Sequence, residues 1–185
     1  MRPISLPIQS VLPDLCAALG HQRNAVLAAD PGAGKTTRVP LALLDQAWLS
    51  DKKIIMLEPR RLAAQRASDY MARQIGERAG QTIGYRIRGD TRISKQTRIE
   101  VVTEGVLTRL LQSDPAIPDV GIVIFDEFHE RSIHADLGLA LTLDVQEHLR
   151  NDFRILVMSA TLDRVSVASL LGDAPVIARA ADAQP

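Results

Sequence analysis

Asp30-Pro31-Gly32-Ala33-Gly34-Lys35-Thr36-Thr37 decides the fold class of this chain, because an apolar strand pattern precedes it and a helical pattern follows it. Its two glycines let the backbone bend so that N–H groups converge on phosphate oxygens, and the helix starting near Lys35 adds its positive dipole end. Lys35 is expected to reach the outer phosphates of a nucleoside triphosphate, and the Thr36 hydroxyl to bind Mg²⁺. The usual first glycine of the pattern is Ala29 here. The segment predicts a phosphate-binding loop at residues 30–37.

Short apolar runs alternate with longer segments of helical period on both sides of this loop. Strands are predicted at residues 25–29, 54–57, 83–86, 99–103, 121–125, 155–159 and 176–177. Helices are predicted at residues 35–48, 61–79, 105–112, 133–150 and 164–171. Several strands are rich in valine and isoleucine without alternation, as expected when both faces are buried. The pattern predicts an α/β fold of three αβα layers, a mostly parallel sheet between helices, with its site at the carboxyl ends of the strands.

A second motif follows the apolar run at residues 121–125, where the chain continues directly into Asp126 and Glu127. Asp126 is expected to hold Mg²⁺, directly or through water, opposite Thr36. Glu127 is expected to orient and deprotonate an attacking water. Hydrolysis of the nucleotide therefore fits better than phosphoryl transfer to a metabolite.

Composition narrows the setting of this chemistry. The 185 residues are 46% hydrophobic and 24% charged, which is typical of a globular protein. One cysteine cannot form an internal disulfide, and prolines at positions 3, 7 and 13 interrupt any signal-peptide pattern. No apolar run approaches the ~20 residues that a membrane span requires. We expect a soluble, cytoplasmic protein without a membrane partner.

The net charge is zero, but the charge is unevenly distributed. Residues 60–98 contain nine arginines and one lysine against three acidic residues, a net charge of +7, which the remaining residues balance. A local basic face can bind phosphates in a neutral chain. Charge alone favours solvated helix and hairpin faces over a nucleic-acid surface, so other observations must decide.

Five segments resemble the DEAH-box helicases. Asp126-Glu127-Phe128-His129-Glu130-Arg131-Ser132 is similar to the Asp-Glu-Ala-His-Glu-Arg-Ser signature of that family, with Phe128 in place of alanine. The other segments follow in family order and are Glu58-Pro59-Arg60-Arg61-Leu62-Ala63-Ala64, Gly84-Tyr85-Arg86-Ile87-Arg88, Thr103-Glu104-Gly105-Val106-Leu107 and Ser159-Ala160-Thr161-Leu162. Together with the phosphate-binding loop they look most like the bacterial HrpB subgroup.

The resemblance implies a P-loop NTPase with a RecA-like helicase domain at residues 25–178, a helical lead-in at residues 1–24 and a linker at residues 179–185. ATP or ADP with Mg²⁺, a nucleic acid (RNA by resemblance) and a second RecA-like domain are the implied partners. Arg61 would stack on the nucleobase, and His129 would join the catalytic residues. Contacts to nucleic acid, or coupling of these contacts to the nucleotide, are implied for Arg60, Thr103, Glu104, Gly105, Ser159 and Thr161.

Some alternatives stay open. The Gln-Arg-x-Gly-Arg segment that the family carries in its second lobe does not occur, so we expect nucleotide binding and slow hydrolysis but no unwinding by this chain alone, and a protein that continues past residue 185. The substrate could be DNA or either nucleic acid, and the chain could instead be a nucleotide-gated interaction module without efficient turnover. A small-molecule kinase and a GTPase fit less well, because neither a lid-like arginine segment nor Asn-Lys-x-Asp is found.

Overall fold

The structure is a computed structural model that describes residues 6–130, 132–160 and 164–178. Its strands are β1 (Asn24–Ala28), β2 (Lys53–Leu57), β3 (Ile83–Ile87), β4 (Asp90–Arg92), β5 (Ile99–Val102), β6 (Val120–Phe125), β7 (Arg154–Ser159) and β8 (Val176–Ala178). They form one sheet in the order β4-β3-β5-β2-β6-β7-β1-β8. Every pairing is parallel except that of β3 with β4. The predicted, mostly parallel sheet is confirmed.

Six α-helices and a short 3-10 helix (Pro7–Ser10) are found in the described part of the chain. The α-helices are α1 (Leu12–His21), α2 (Lys35–Leu44), α3 (Arg61–Gln74), α4 (Glu104–Ser113), α5 (Ile133–His148) and α6 (Arg164–Leu170). Buried residues of α1, α2 and α3 pack on one face of the sheet, and those of α4, α5 and α6 pack on the other. The three-layer arrangement is therefore confirmed. None of the described helices is both long and apolar enough to cross a membrane.

Burial on both faces explains the continuous apolar strands. All six residues of β6 are buried, and so are the last five of β7. Their alternate side chains point into the two separate hydrophobic clusters, one beneath each layer of helices. Valine and isoleucine fit this setting because branched side chains pack well on a pleated surface.

The sequence-based prediction was wrong in three details. It missed β4, which is three residues long, largely exposed and paired antiparallel with β3. It extended α2 to residue 48 and α3 to residue 79, whereas these helices end at Leu44 and Gln74. A left-handed Gly76 follows α3 closely and turns the chain away from the helix axis. Thr103, predicted as a strand end, instead lies at the N-cap of α4.

Candidate functional site

The phosphate-binding loop and the turn after β6 meet at the carboxyl edge of the sheet. Only β7 separates β1 from β6, and these strands are parallel, so the segments that follow β1 and β6 emerge on the same side. The Thr36 Oγ1 hydroxyl donates a hydrogen bond of 2.6 Å to Asp126 Oδ2. Lys35 Nζ lies 3.2 Å from Glu127 Oε1. Lys35 is only 3% exposed, and a buried ammonium group requires such a partner.

The turn that carries the two carboxylates contains a residue with a strained backbone. Glu127 has a φ of +53°, in the left-handed region that residues other than glycine rarely adopt. Its N–H donates to Asp126 Oδ1 at 2.9 Å, and the next N–H, of Phe128, donates to the Met158 carbonyl at 3.1 Å. Phe128 is buried, and its ring meets that of Phe125 edge to face. These contacts hold Glu127 in its strained conformation.

His129 joins this turn to the end of β7. Its Nδ1 accepts a hydrogen bond of 3.1 Å from the Ala160 N–H, so the proton of the imidazole lies on Nε2. Nε2 is 3.0 Å from Glu127 Oε2 and can donate to it. Ser159 is buried beside this contact, and its carbonyl accepts from the Ala29 N–H at 3.2 Å. Thr161, which was predicted to act with Ser159, lies outside the described residues.

The N-terminal segment supports the phosphate-binding loop from behind. The Ile8 N–H donates to the Ala33 carbonyl at 3.1 Å, and a Cβ on Gly34 would lie 2.8 Å from the Leu6 side chain. Gly34 also has a φ of +94°, so glycine is required there for both space and conformation. A cavity of about 250 Å³ lies between this segment and the loop, against residues 29–33. Asp30, Pro31 and Gly32 are exposed, and Thr37 is half-buried.

The residues predicted for the base and for nucleic acid lie along the same edge of the sheet. Arg61 is exposed as the first residue of α3, after the carboxyl end of β2. The preceding residue, Arg60, is 70% exposed and forms an ion pair of 2.6 Å with Glu130. Thr103, Glu104 and Gly105 begin α4 after the end of β5. Ser132 caps α5, and its hydroxyl donates to Glu104 Oε1 at 2.8 Å.

Sequence reasoning gave no role to Glu58, which is 4% exposed beside the predicted metal ligand. Leu57 pairs with Phe125 in the sheet, so the next residues, Glu58 and Asp126, emerge side by side. Burial, followed by the nearby Asp126 carboxylate, raises the pKa of Glu58 from 4.5 to about 10. Among the residues that the structure describes, none forms a hydrogen bond with its Oε2. Glu58 could have been identified from its position at the end of β2, next to the end of β6. This requires knowing the strand order, which the sequence pattern does not give.

We expect Glu58→Gln to remove a pH dependence of stability in the protein free of metal and nucleotide. Because the folded-state pKa lies above the ordinary 4.5, the stability that protonated Glu58 gives is complete below pH 4.5 and is lost as pH rises toward 10. Glutamine keeps the neutral shape, so the variant should melt several degrees higher than the unmodified chain at pH 8 but not at pH 4.5. Thermal unfolding across this pH range measures the effect.

Glu147→Gln is the matched control, because this glutamate is 78% exposed on α5 and undergoes the same chemical change. Its melting curve should follow that of the unmodified chain at each pH. An undiminished pH slope in Glu58→Gln would show that Glu58 is not the titrating group.

The family follows from a comparison with known proteins. The model of the DEAD/DEAH box helicase family matches residues 7–169, which include both motifs of the site. The chain belongs to this family. The resemblance of the DEAH-box signature, with its Phe128 variant, is thereby confirmed.

Two DEAD/DEAH box relatives show where the chain falls within the family. It is 51% identical over 94% of its length to the ATP-dependent RNA helicase HrpB of Escherichia coli, and 33% identical over 96% to the ATP-dependent RNA helicase HrpA of Borreliella burgdorferi. The crystal structure of the E. coli DExH-box NTPase HrpB superposes on 97% of the chain with a TM-score of 0.92 at 50% identity. The similarity to the HrpB subgroup and the RecA-like fold are confirmed. The chain spans 21% of the length of each of the two relatives.

Proposed function

We propose that this chain binds a nucleoside triphosphate with Mg²⁺ where residues 30–37 meet Asp126 and Glu127, and hydrolyses it as the first motor lobe of an ATP-dependent RNA helicase. The contact of 2.6 Å between Thr36 Oγ1 and Asp126 Oδ2 carries the proposal. It joins two motifs 90 residues apart and brings together the hydroxyl and the carboxylate that Mg²⁺–nucleotide sites use.

The donor atoms fit Mg²⁺. This ion prefers oxygen ligands, and the protein supplies a hydroxyl from Thr36 and a carboxylate from Asp126. When bound, Mg²⁺ would neutralise charge on the phosphate oxygens. The Glu127 N–H fixes Asp126 by its bond to Oδ1, which leaves Oδ2 directed at Thr36. The prediction that Thr36 and Asp126 hold the metal is therefore supported by the proximity of their two oxygen atoms.

Lys35 and Glu127 hold each other in place through their contact of 3.2 Å. The phosphates of a nucleotide offer Lys35 a stronger acceptor, and its departure frees Glu127 Oε1. That oxygen can then accept the proton of the attacking water. His129 donates to Oε2 and so keeps the carboxylate oriented while the first oxygen acts. The backbone N–H groups of Gly32 and Gly34 would bind phosphate oxygens, whereas the Ala33 N–H donates to the Asp30 carbonyl at 3.1 Å and stabilises the loop itself.

RNA is the proposed nucleic acid, and the support for it is of two kinds. Arg60, Thr103, Glu104 and Gly105 are placed along the sheet edge beside the nucleotide site. The relatives with 51% and 33% identity are named ATP-dependent RNA helicases. Exposed Arg61 would stack on the base, a contact that discriminates little among nucleotides. Nucleotide turnover compared with matched RNA and DNA strands would separate RNA from DNA as the substrate.

The limits of the domain, the second lobe and the cytoplasmic location stay predictions. An arginine supplied by a second lobe raises turnover by ~10³–10⁵-fold in related ATPases, so slow hydrolysis is proposed for this chain alone. A nucleotide-gated interaction module would differ, because it would bind ATP without turnover even when joined to a second lobe.

Thr36→Val tests the proposed metal site. The change removes the hydroxyl and keeps the branched shape, so we expect the Mg²⁺-dependent part of nucleotide affinity to fall roughly tenfold. Thr36→Ser keeps the hydroxyl and should bind like the unmodified chain. Titration with a fluorescent ATP analogue, in Mg²⁺ and in EDTA, measures both variants. Equal affinity of the unmodified chain in the two buffers would refute the metal's proposed role.

A further inference from the structure

Several residues shortly after Asp126 contact different parts of the candidate site. Glu127 reaches Lys35 of the phosphate-binding loop, and His129 reaches the end of β7. Glu130 pairs with Arg60 before α3, and Ser132 binds Glu104 at the start of α4. The last two contacts lead to residues proposed for nucleic acid. One short segment therefore touches both the nucleotide side and the nucleic-acid side.

The ion pair of Arg60 with Glu130 uses the group that nucleic acid would need. Arg60 Nη2 lies 2.6 Å from Glu130 Oε1, and the Arg60 guanidinium group forms no other hydrogen bond or ion pair with the described residues. A phosphate oxygen binds a guanidinium group as a carboxylate oxygen does. The Glu130 carboxylate and a nucleic-acid phosphate cannot both bind the same N–H groups of the Arg60 guanidinium, so they compete for it.

The pair is exposed enough to be replaced. The side chains of Arg60 and Glu130 are 70% and 34% exposed, and ion pairs in such settings are weak. Glu130 also lies in a crowded acidic environment, because its charge adds to those of Asp126 and Glu127 around buried Glu58. A nucleic-acid phosphate can therefore bind Arg60, but only after Glu130 is displaced.

We propose that Glu130 is an internal competitor that occupies Arg60 in the absence of nucleic acid and is displaced by a backbone phosphate. This rests on the proposed function, since it assumes that Arg60 binds nucleic acid. The displaced residue belongs to the turn that carries Glu127, because the Glu130 N–H donates to the Glu127 carbonyl at 2.9 Å. Binding of a nucleic-acid strand would therefore change a contact of the turn that holds Glu127, the proposed water-activating carboxylate.

Glu130→Gln tests the proposal in the 185-residue chain. The glutamine removes the competing charge and keeps the size, so single-stranded RNA should bind about 2- to 5-fold more tightly. A fluorescein-labelled uridine oligomer, titrated at low salt by fluorescence anisotropy, measures this affinity. Glu147→Gln removes an equal charge from an exposed position on α5 and should change the affinity by less.

The double variant separates competition from a general charge effect. Arg60→Gln should weaken RNA binding and, if it removes one phosphate contact, lower the salt slope by ~0.7. In that background Glu130→Gln should have no larger effect than Glu147→Gln, because there is no guanidinium to release. A larger gain in affinity that persists in the Arg60→Gln background would overturn the proposal.

The remaining outcomes locate a failure. If Arg60→Gln weakens binding but Glu130→Gln does not tighten it, the competition is refuted and the proposed function stands. If Arg60→Gln has no effect, or the unmodified chain binds no RNA at low salt, both the competition and the assigned role of Arg60 fail. Binding of the fluorescent ATP analogue, measured in the same samples, reports on the nucleotide site independently.

Discussion

Glu127→Gln is expected to lower nucleotide hydrolysis by about 10²–10⁴-fold, the range for loss of a general base, while nucleotide binding changes little. Glutamine cannot accept the proton of the attacking water, but it fills the same space. Its single carbonyl oxygen can still accept from either Lys35 or His129, which contact different oxygens of Glu127. Product formation under single-turnover conditions measures the chemical step, and titration with the fluorescent ATP analogue measures binding.

Glu147→Gln provides the control for Glu127→Gln, because it makes the same replacement on an exposed part of α5. Its turnover and affinity should equal those of the unmodified chain. Undiminished turnover in Glu127→Gln would assign the proton transfer to another group. A large loss of affinity would instead mean that Glu127 serves chiefly to build the binding site.

Lys35→Ala is expected to weaken nucleotide binding on the order of 10²–10³-fold. The lysine is buried, so its bonds to the phosphates would form away from bulk water, where loss of a charged partner has a large effect. The change also leaves Glu127 without its cation and so adds negative charge where the phosphates must bind. The fluorescent ATP analogue, titrated in the presence of Mg²⁺, measures the change.

Lys95→Ala is the control for Lys35→Ala, since it removes a lysine from an exposed loop of the basic segment. Retained affinity in this variant would show that the loss is local to the phosphate-binding loop and not a result of lower overall charge. If Lys35→Ala and Glu127→Gln lost binding to the same degree, the proposed division between binding and chemistry would be wrong.

Local patterns were sufficient to predict most of the fold. Buried parallel strands require long apolar runs, and β6 and β7 display them without ambiguity. The hairpin strand β4 has no such requirement, because it is short and polar at the edge of the sheet, so its residues carry no pattern. A Cβ on Gly84 would overlap the carbonyl oxygen of Arg92, which shows how closely β4 approaches β3. Only the folded pairing reveals that constraint.

The candidate site was predictable where the residue types and spacing of a sequence motif indicate a chemical role. Lys35, Thr36, Asp126 and Glu127 were predicted to converge, and the structure brings them within contact distance. The position of Glu58 was not predictable, because its burial depends on β2 lying next to β6, which a local pattern does not specify.

The contact between Arg60 and Glu130 was also outside the reach of the sequence. It joins residues 70 positions apart. Neither residue type indicates a partner at such a distance, and each belongs to a segment whose family resemblance already gave it another explanation. Long-range polar contacts of this kind require the strand order and the turn geometry together.

The packing of Leu6 and Ile8 against the phosphate-binding loop affects how the domain can be shortened for experiments. A version that began at the first strand would lack the backbone bond to Ala33 and the side chains packed behind Gly34. The loop could then move into the space that Leu6 and Ile8 fill. Weak ATP binding by such a truncation would reflect the loss of these supporting residues and not a fault in the phosphate-binding loop itself.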